Sequence, residues 1–324
     1  MLKIGYHCSH EQFAPSTLLG YAQLADKAGF TAGTSSDHFH PWSERQGESG
    51  FAWAWLGAAL QATSLSFGVV NAPGQRYHPA IIAQAAATLA ELFPGRFWLA
   101  LGSGQQMNEH ITGQRWPAKA ERNARLKECV DVIRALWAGE TVSHQGLVTV
   151  DEARLYSCPR QTPLLVGAAV TAPTAGWVGG WADALITISQ PADKLRQVVD
   201  AFRAGGGEGK PMFLKVQLSF AETQEAARAG AVEQWRNNIF PNQVLTELRM
   251  PADFDAAGEL VDLAEVEKMV RTSADPQQHL AWLQQDLELG FEQLLLHNVN
   301  REQTRFIEVF GEQVLPGLYA GAGA

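Results

Sequence analysis

Eight short apolar runs, separated by longer amphipathic segments, predict a closed (β/α)8 barrel (a TIM barrel). The runs are continuous rather than alternating, as expected of parallel strands buried on both faces. Eight of them suit a closed barrel better than an open, doubly wound sheet. With 324 residues, 46% of them hydrophobic, the chain can fill one such core. One domain over residues 1–324 is therefore expected.

The first strand is read at Leu2–Tyr6 and the first helix at Ser16–Ala28, capped by Ser16 or Thr17 and stopped by Gly29. Thr31–Ser35 and Leu65–Val70 are the second and third strands. Pro79–Leu92 is a helix whose Pro79 suits the first turn, where a missing N–H costs nothing. Phe97–Leu101 is the fourth strand, and Glu121–Trp137 the next helix. Thr141–Ser157 alternates polar and apolar residues around His144-Gln145-Gly146, which predicts an inserted β-hairpin. Leu164–Gly167, Ala184–Ile188, Phe213–Phe220 and Gln293–His297 complete the strands, the last after helix Gln277–Leu289. The stretch 234–263, with Pro241 and Pro251, is long for a connection between strands seven and eight. It is read as an insertion of the lid or binding-loop kind.

Composition excludes several classes of function. A net charge of −9, with no run of five basic residues, leaves no patch to neutralise nucleic-acid phosphates. No apolar run is long enough to span a bilayer, and no leader pattern is visible, so no membrane partner is expected. Cys8, Cys129 and Cys158 are widely spaced and odd in number, so they make neither a metal set nor a disulfide framework. A reducing, cytoplasmic setting follows.

In a barrel, chemistry sits on the loops that follow the strands' C-terminal ends. Ser36-Asp37-His38-Phe39-His40-Pro41-Trp42 follows strand two and concentrates a carboxylate, two imidazoles and an indole. The bland alternative is a helix-capping Asp beside a surface His. Glu11, after strand one, falls on the same barrel face and could pair with His38 for acid–base work. Gly102-Ser103-Gly104 leads into Gln105, Met107, Asn108 and Glu109 after strand four; its two glycines permit close approach of a flat ligand or a tight turn. Ala169-Val170-Thr171 precedes a helix after strand five, where backbone amides and a hydroxyl can hold phosphate. Val70 and Asn71 end strand three. Trp53 and Trp55 are either pocket lining or core, and Met107 is read as facing the substrate.

Together these motifs resemble the bacterial-luciferase-like flavin oxidoreductases. Gly5-Tyr6, Glu11 to Pro15, Ser36 to Phe39, Pro41-Trp42, Arg76 to Pro79, Ile82 to Gln84, Gly102 to Glu109 and Phe306 to Phe310 carry the likeness nearly end to end. The nearest branch is the deazaflavin (F420)-dependent glucose-6-phosphate dehydrogenases. The resemblance implies His38 as base toward a substrate hydroxyl and Glu11 near the reaction centre. It implies Asp37 and Asn108 against the cofactor, Trp42 beside the reacting ring, a cis peptide at Val70–Asn71 and the cofactor phosphate at Ala169–Thr171. Trp42, Trp53 and Met107 are the expected substrate contacts.

Two departures shape the expected function. Gln105 stands where those dehydrogenases carry a glutamate that protonates the reduced ring, and an amide is no acid. Pro191, Leu245 and Met269 stand near positions where they carry cations for the sugar phosphate. The expectation is thus an FMN-dependent, luciferase-like oxidoreductase, a monooxygenase, acting on an uncharged or apolar small molecule. A separate reductase would supply reduced FMN, and a homodimer is the expected assembly. The alternatives are an F420-dependent dehydrogenase or reductase of a small alcohol or carbonyl compound, and a non-catalytic flavin-binding protein. Retention of His38 and Glu11 argues against the last.

Overall fold

The computed structural model describes residues 2–321. In chain order the elements are β1 (Lys3–Cys8), α1 (Pro15–Lys27), β2 (Ala32–Ser35), α2 (Ala52–Ala62), β3 (Ser66–Asn71), α3 (Pro79–Leu92), β4 (Phe97–Leu101), α4 (Gln106–Glu109) and α5 (Lys119–Trp137). There follow β5 (Val142–Gln145), β6 (Thr149–Ala153), β7 (Leu164–Ala168), α6 (Ala172–Gly179), β8 (Ala184–Ile188), α7 (Ala192–Phe202), β9 (Met212–Ser219) and α8 (Gln224–Trp235). The chain ends with α9 (Asn242–Leu245), α10 (Pro251–Gly258), α11 (Leu263–Glu267), β10 (Arg271–Thr272), α12 (Pro276–Leu287), β11 (Gln293–Asn298), α13 (Gln303–Gln313) and α14 (Leu315–Gly321).

Strands β9, β11, β1, β2, β3, β4, β7 and β8 lie side by side, and β8 pairs back to β9, closing the barrel. All these pairings are parallel. Strand β4 shows why its sequence is apolar throughout. Side chains alternate across a strand: Phe97, Leu99 and Leu101 join the core under the helices, whereas Trp98 and Ala100 join a second core inside the barrel. That inner core also holds Val166, Ile186, Phe213 and Leu295, so the lower barrel is packed solid.

The β5–β6 hairpin is antiparallel and precedes β7, as read from the sequence. Helix α1 begins one residue earlier than expected, with Pro15 in its first turn and Ala14, not Ser16 or Thr17, at the cap. Helix α2 is the main element the sequence reading lacked. Its run of alanines and tryptophans is apolar all round and carries no helical stripe. Helices α9 to α11 occupy the expected insertion between β9 and β11. They bring Phe254 and Val266 onto Trp42, Met107 and Trp235 in a third apolar cluster over the barrel's C-terminal mouth.

Gly68 faces Trp98 across the β3–β4 pair, and a Cβ there would lie 2.0 Å from the indole. Only glycine admits the ring. Gly68→Ala should therefore cost ~1–3 kcal/mol by overpacking and lower the thermal midpoint. Adding Trp98→Phe should recover part of that loss. An unchanged midpoint for the single variant would contradict this packing.

Candidate active site

Loops after β1, β2, β3 and β4 meet at the mouth around a buried carboxylate. Asp37 Oδ2 accepts from Asn71 Nδ2 at 2.6 Å, and its Oδ1 accepts from the Tyr77 hydroxyl at 3.0 Å. The Arg76 guanidinium lies 3.6 Å from Asp37 Oδ1 and donates to the Asp37 carbonyl at 2.8 Å. On its other side Arg76 lies 3.6 Å from Glu109 Oε1, and its backbone N–H donates to Glu109 Oε2 at 2.7 Å. Burial raises the Glu109 carboxyl above its ordinary range, with Arg76 opposing that rise. Asn108 Oδ1 accepts from the Phe39 N–H at 2.9 Å. Asp37 and Asn108, expected against a cofactor, thus spend these oxygens on holding the loop. Asn71 Oδ1 remains buried with no partner.

The loop so held presents His38 to Glu11. The Glu11 carboxylate is 3% exposed; Ser36 and Ser9 donate to its Oε2 at 2.6 and 3.0 Å. Its Oε1 lies 3.5 Å from His38 Nδ1. Nδ1 therefore faces the carboxylate, which leaves Nε2 for a ligand. The His38 ring sits 4.8 Å from the Trp42 ring, itself edge-on to Phe254 at 5.4 Å. Burial lowers His38 below its ordinary value; Glu11 resists this, and Arg76 and Lys215 add to it. Burial would raise Glu11, but His38, the Ser36 hydroxyl and Lys215 outweigh it, and the carboxyl ends below its usual range.

Sequence reasoning missed Lys215. It shares the inward register of Phe213 on β9 and pairs with Leu295 of the inner core. Its signal was a lysine and a glutamine at alternate places in an otherwise apolar strand, MFLKVQLS. His7 and His297 join it on the inner wall, their rings 4.4 Å apart.

Across the mouth the wall is small. Val70 and Ala168 pack on the inner core beside Ala100, and Gly102 sits against Ala168, where a Cβ would lie 3.6 Å from it. Gly104 has φ +82°, a conformation that favours glycine. Together with unpartnered buried acceptors at Asn71 Oδ1 and Thr34 Oγ1, this wall fits a flat, hydrogen-bonding ring. Gln105 occupies the cap position of α4 beside it. Ala169, Val170 and Thr171 lead into α6, as the phosphate reading requires. Thr171 Oγ1, however, donates to Thr174 Oγ1 at 3.0 Å and caps no backbone amide.

Three expectations are corrected. No peptide bond among the described residues is cis, so Val70–Asn71 is trans. Trp53 lies on α2 in the core outside the barrel, 6.0 Å from the Phe97 ring, and does not line the mouth. Trp55 is there too, its indole N–H bound to the Pro15 carbonyl at 2.9 Å. Met107 is fully buried under the insertion with Trp42 and Phe254. It supports Trp42 and offers a substrate no surface.

Comparison with known proteins identifies the family. The family model described as luciferase-like monooxygenase matches residues 2–293. An F420-dependent glucose-6-phosphate dehydrogenase from Beutenbergia cavernae is 34% identical, covering 99% of this chain and 98% of its own. Among solved structures, an F420-dependent secondary alcohol dehydrogenase in complex with an F420-acetone adduct superposes with a TM-score of 0.90. It is 28% identical, with 98% of this chain and 99% of that one covered. The FMN-bound oxygenating constituent of 3,6-diketocamphane monooxygenase from Pseudomonas putida reaches a TM-score of 0.72. At 15% identity, over 97% and 98% of the two chains, it shares the fold. The chain belongs to the luciferase-like monooxygenase family of oxidoreductases.

Proposed function

We propose that this oxidoreductase interconverts a small alcohol and its carbonyl compound at a flavin-type cofactor, with His38 handling the proton of the substrate oxygen. The observation that supports this most is the pairing of buried Glu11 with half-buried His38 beside Trp42. Removing hydride from an alcohol carbon requires a base for the hydroxyl proton. His38 offers Nε2, and Glu11 holds the ring through Nδ1. The likeness to the secondary alcohol dehydrogenase supports the same reading. The likeness to the FMN monooxygenase carries the fold only, so oxygen insertion takes second place.

When bound, the cofactor would accept or donate the hydride. Asn71 Oδ1 and the small wall at Ala100, Gly102 and Ala168 would receive its ring, and the backbone of Ala169–Thr171 its phosphate. FMN is our first reading, because Gln105 cannot protonate a reduced deazaflavin ring. F420 is the second, favoured by the relatives' named cofactor. In the FMN reading a separate reductase would supply the reduced form for carbonyl reduction, and alcohol oxidation would need an electron acceptor to reoxidise it.

Titration of the purified protein with FMN and with F420, and mass spectrometry of any released cofactor, test this ranking. We expect FMN to bind at micromolar affinity or better. Binding of F420 alone would reverse the order. Thr171→Glu should weaken FMN binding by placing charge against the phosphate; unchanged affinity would remove the phosphate from this turn.

Glucose 6-phosphate should not be turned over usefully with either cofactor, since Pro191, Leu245 and Met269 offer a dianion no charge. Efficient oxidation of that sugar phosphate would refute the pocket assignment.

His38→Ala should lose about 10²–10⁴-fold in turnover while still holding the cofactor, both measured on one sample. Full activity would reduce His38 to packing. A base works when neutral, and His38 is lowered from 6.5, so the acid limb of kcat/KM should lie below pH 6.5. Glu11→Gln removes the attraction that holds His38 up and should move that limb lower still. A limb that stays in place would exclude the coupling.

A further inference from the structure

Beside the His38–Glu11 pair, the barrel interior carries polar groups that the proposed reaction leaves unused. His7 and His297 are 4% and 1% exposed, and Nδ1 of each is buried with no partner. His297 Nε2 is engaged by Gln12 Oε1 at 2.9 Å. Burial pushes both imidazoles well below their ordinary value, so they are neutral. The Lys215 ammonium lies 5.7 Å from the Trp235 ring centre, and Trp235 stands edge-on to His297 at 4.7 Å. Among the described residues the ammonium has no ion pair. Glu11 draws on it electrostatically but commits its oxygens to Ser9, Ser36 and His38.

Burial pushes Lys215 down to about 8, which leaves it charged at neutral pH. Lys215 is half-buried, and no carboxylate lies within ion-pair distance of its ammonium among the described residues, so an anion entering the mouth would gain a direct partner there. A single ammonium suits one negative charge rather than a dianion.

We propose that Lys215, with the unpartnered Nδ1 of His7 beside it, seats a carboxylate group of the substrate, while His297, its N–H already given to Gln12, packs against them. The substrate class is then an alcohol or carbonyl compound that also bears one carboxylate. This replaces the expectation of a wholly uncharged substrate. The charge that the resemblance assigns to the positions of Pro191 and Met269 stands instead on the barrel wall. The inference rests on the functional reading only in taking the mouth as the substrate pocket.

Benzoate and its uncharged isostere benzamide serve as probes, with binding followed by calorimetry. The Lys215 titration is followed by NMR of protein labelled at lysine Cε, with Lys215→Arg used to assign the signal. Benzoate should bind at least about tenfold more tightly than benzamide and should raise the Lys215 midpoint above about 8. Lys215→Gln should abolish the preference, and Lys215→Arg should keep it. Equal binding of the two probes, benzoate binding that leaves the midpoint unmoved, or a preference that survives Lys215→Gln would each overturn the assignment. If Lys215→Gln fails to fold, the two wild-type measurements decide. Neither FMN binding nor turnover enters the readout, so failure of the functional reading and failure of this one would show separately.

Discussion

A carboxylate at the top of a barrel, out of reach of water, needs protein groups in place of its hydration. Asp37 meets that requirement with the Asn71 amide, the Tyr77 hydroxyl and the Arg76 guanidinium, drawn from the end of β3 and the segment after it. Arg76 then has a second carboxylate, Glu109, on its far side. Satisfying one buried charge thereby ties the loops after β2, β3 and β4 into a single unit. Removing one partner of such a pair typically costs ~3–5 kcal/mol. The loop that carries His38 inherits this rigidity.

The reactive groups themselves are set by competition. Burial alone would make His38 a weak base and Glu11 a neutral acid. Their proximity reverses the outcome for Glu11 and softens it for His38. Ser36 contributes twice: its hydroxyl donates to Glu11, and it accepts from the His10 N–H, fixing the loop after β1 against the loop after β2. The insertion closes the arrangement from above. Asn237 Nδ2 donates to the Trp42 carbonyl at 3.1 Å, and Ser43 donates to Asp255 at 2.6 Å. The indole over His38 is thus held from both the barrel and the insertion.

The barrel was legible because double burial makes every strand apolar, as β4 shows. The hairpin and the insertion were legible by their departure from that pattern. Helix α2 was not, because its exposed side carries Ala54 and Ala58 rather than charged residues, so no polar face reveals its period. Trp53 was counted among the substrate contacts for the same reason: alternate spacing mimics a strand when the true neighbours are three and four residues away, whereas the core alternative held for Trp55. His38 and Glu11 stood out by residue type on adjacent loops. Lys215 did not, since one cation in an apolar strand looks like an edge position until the closed sheet turns it inward. Asp37 and Asn108 were found, but sequence could not show that their bonds run to the backbone and side chains of neighbouring loops.

The most direct test is a crystal structure of the protein loaded with FMN. The account places the ring against Asn71, Gly102 and Ala168, the phosphate at Ala169–Thr171, and His38 Nε2 open to the space beside the ring under Trp42. A flavin bound elsewhere, as in the outer cleft among Arg45, Arg228 and Arg236, would contradict it. So would a ring that turns the His38 imidazole away from the pocket.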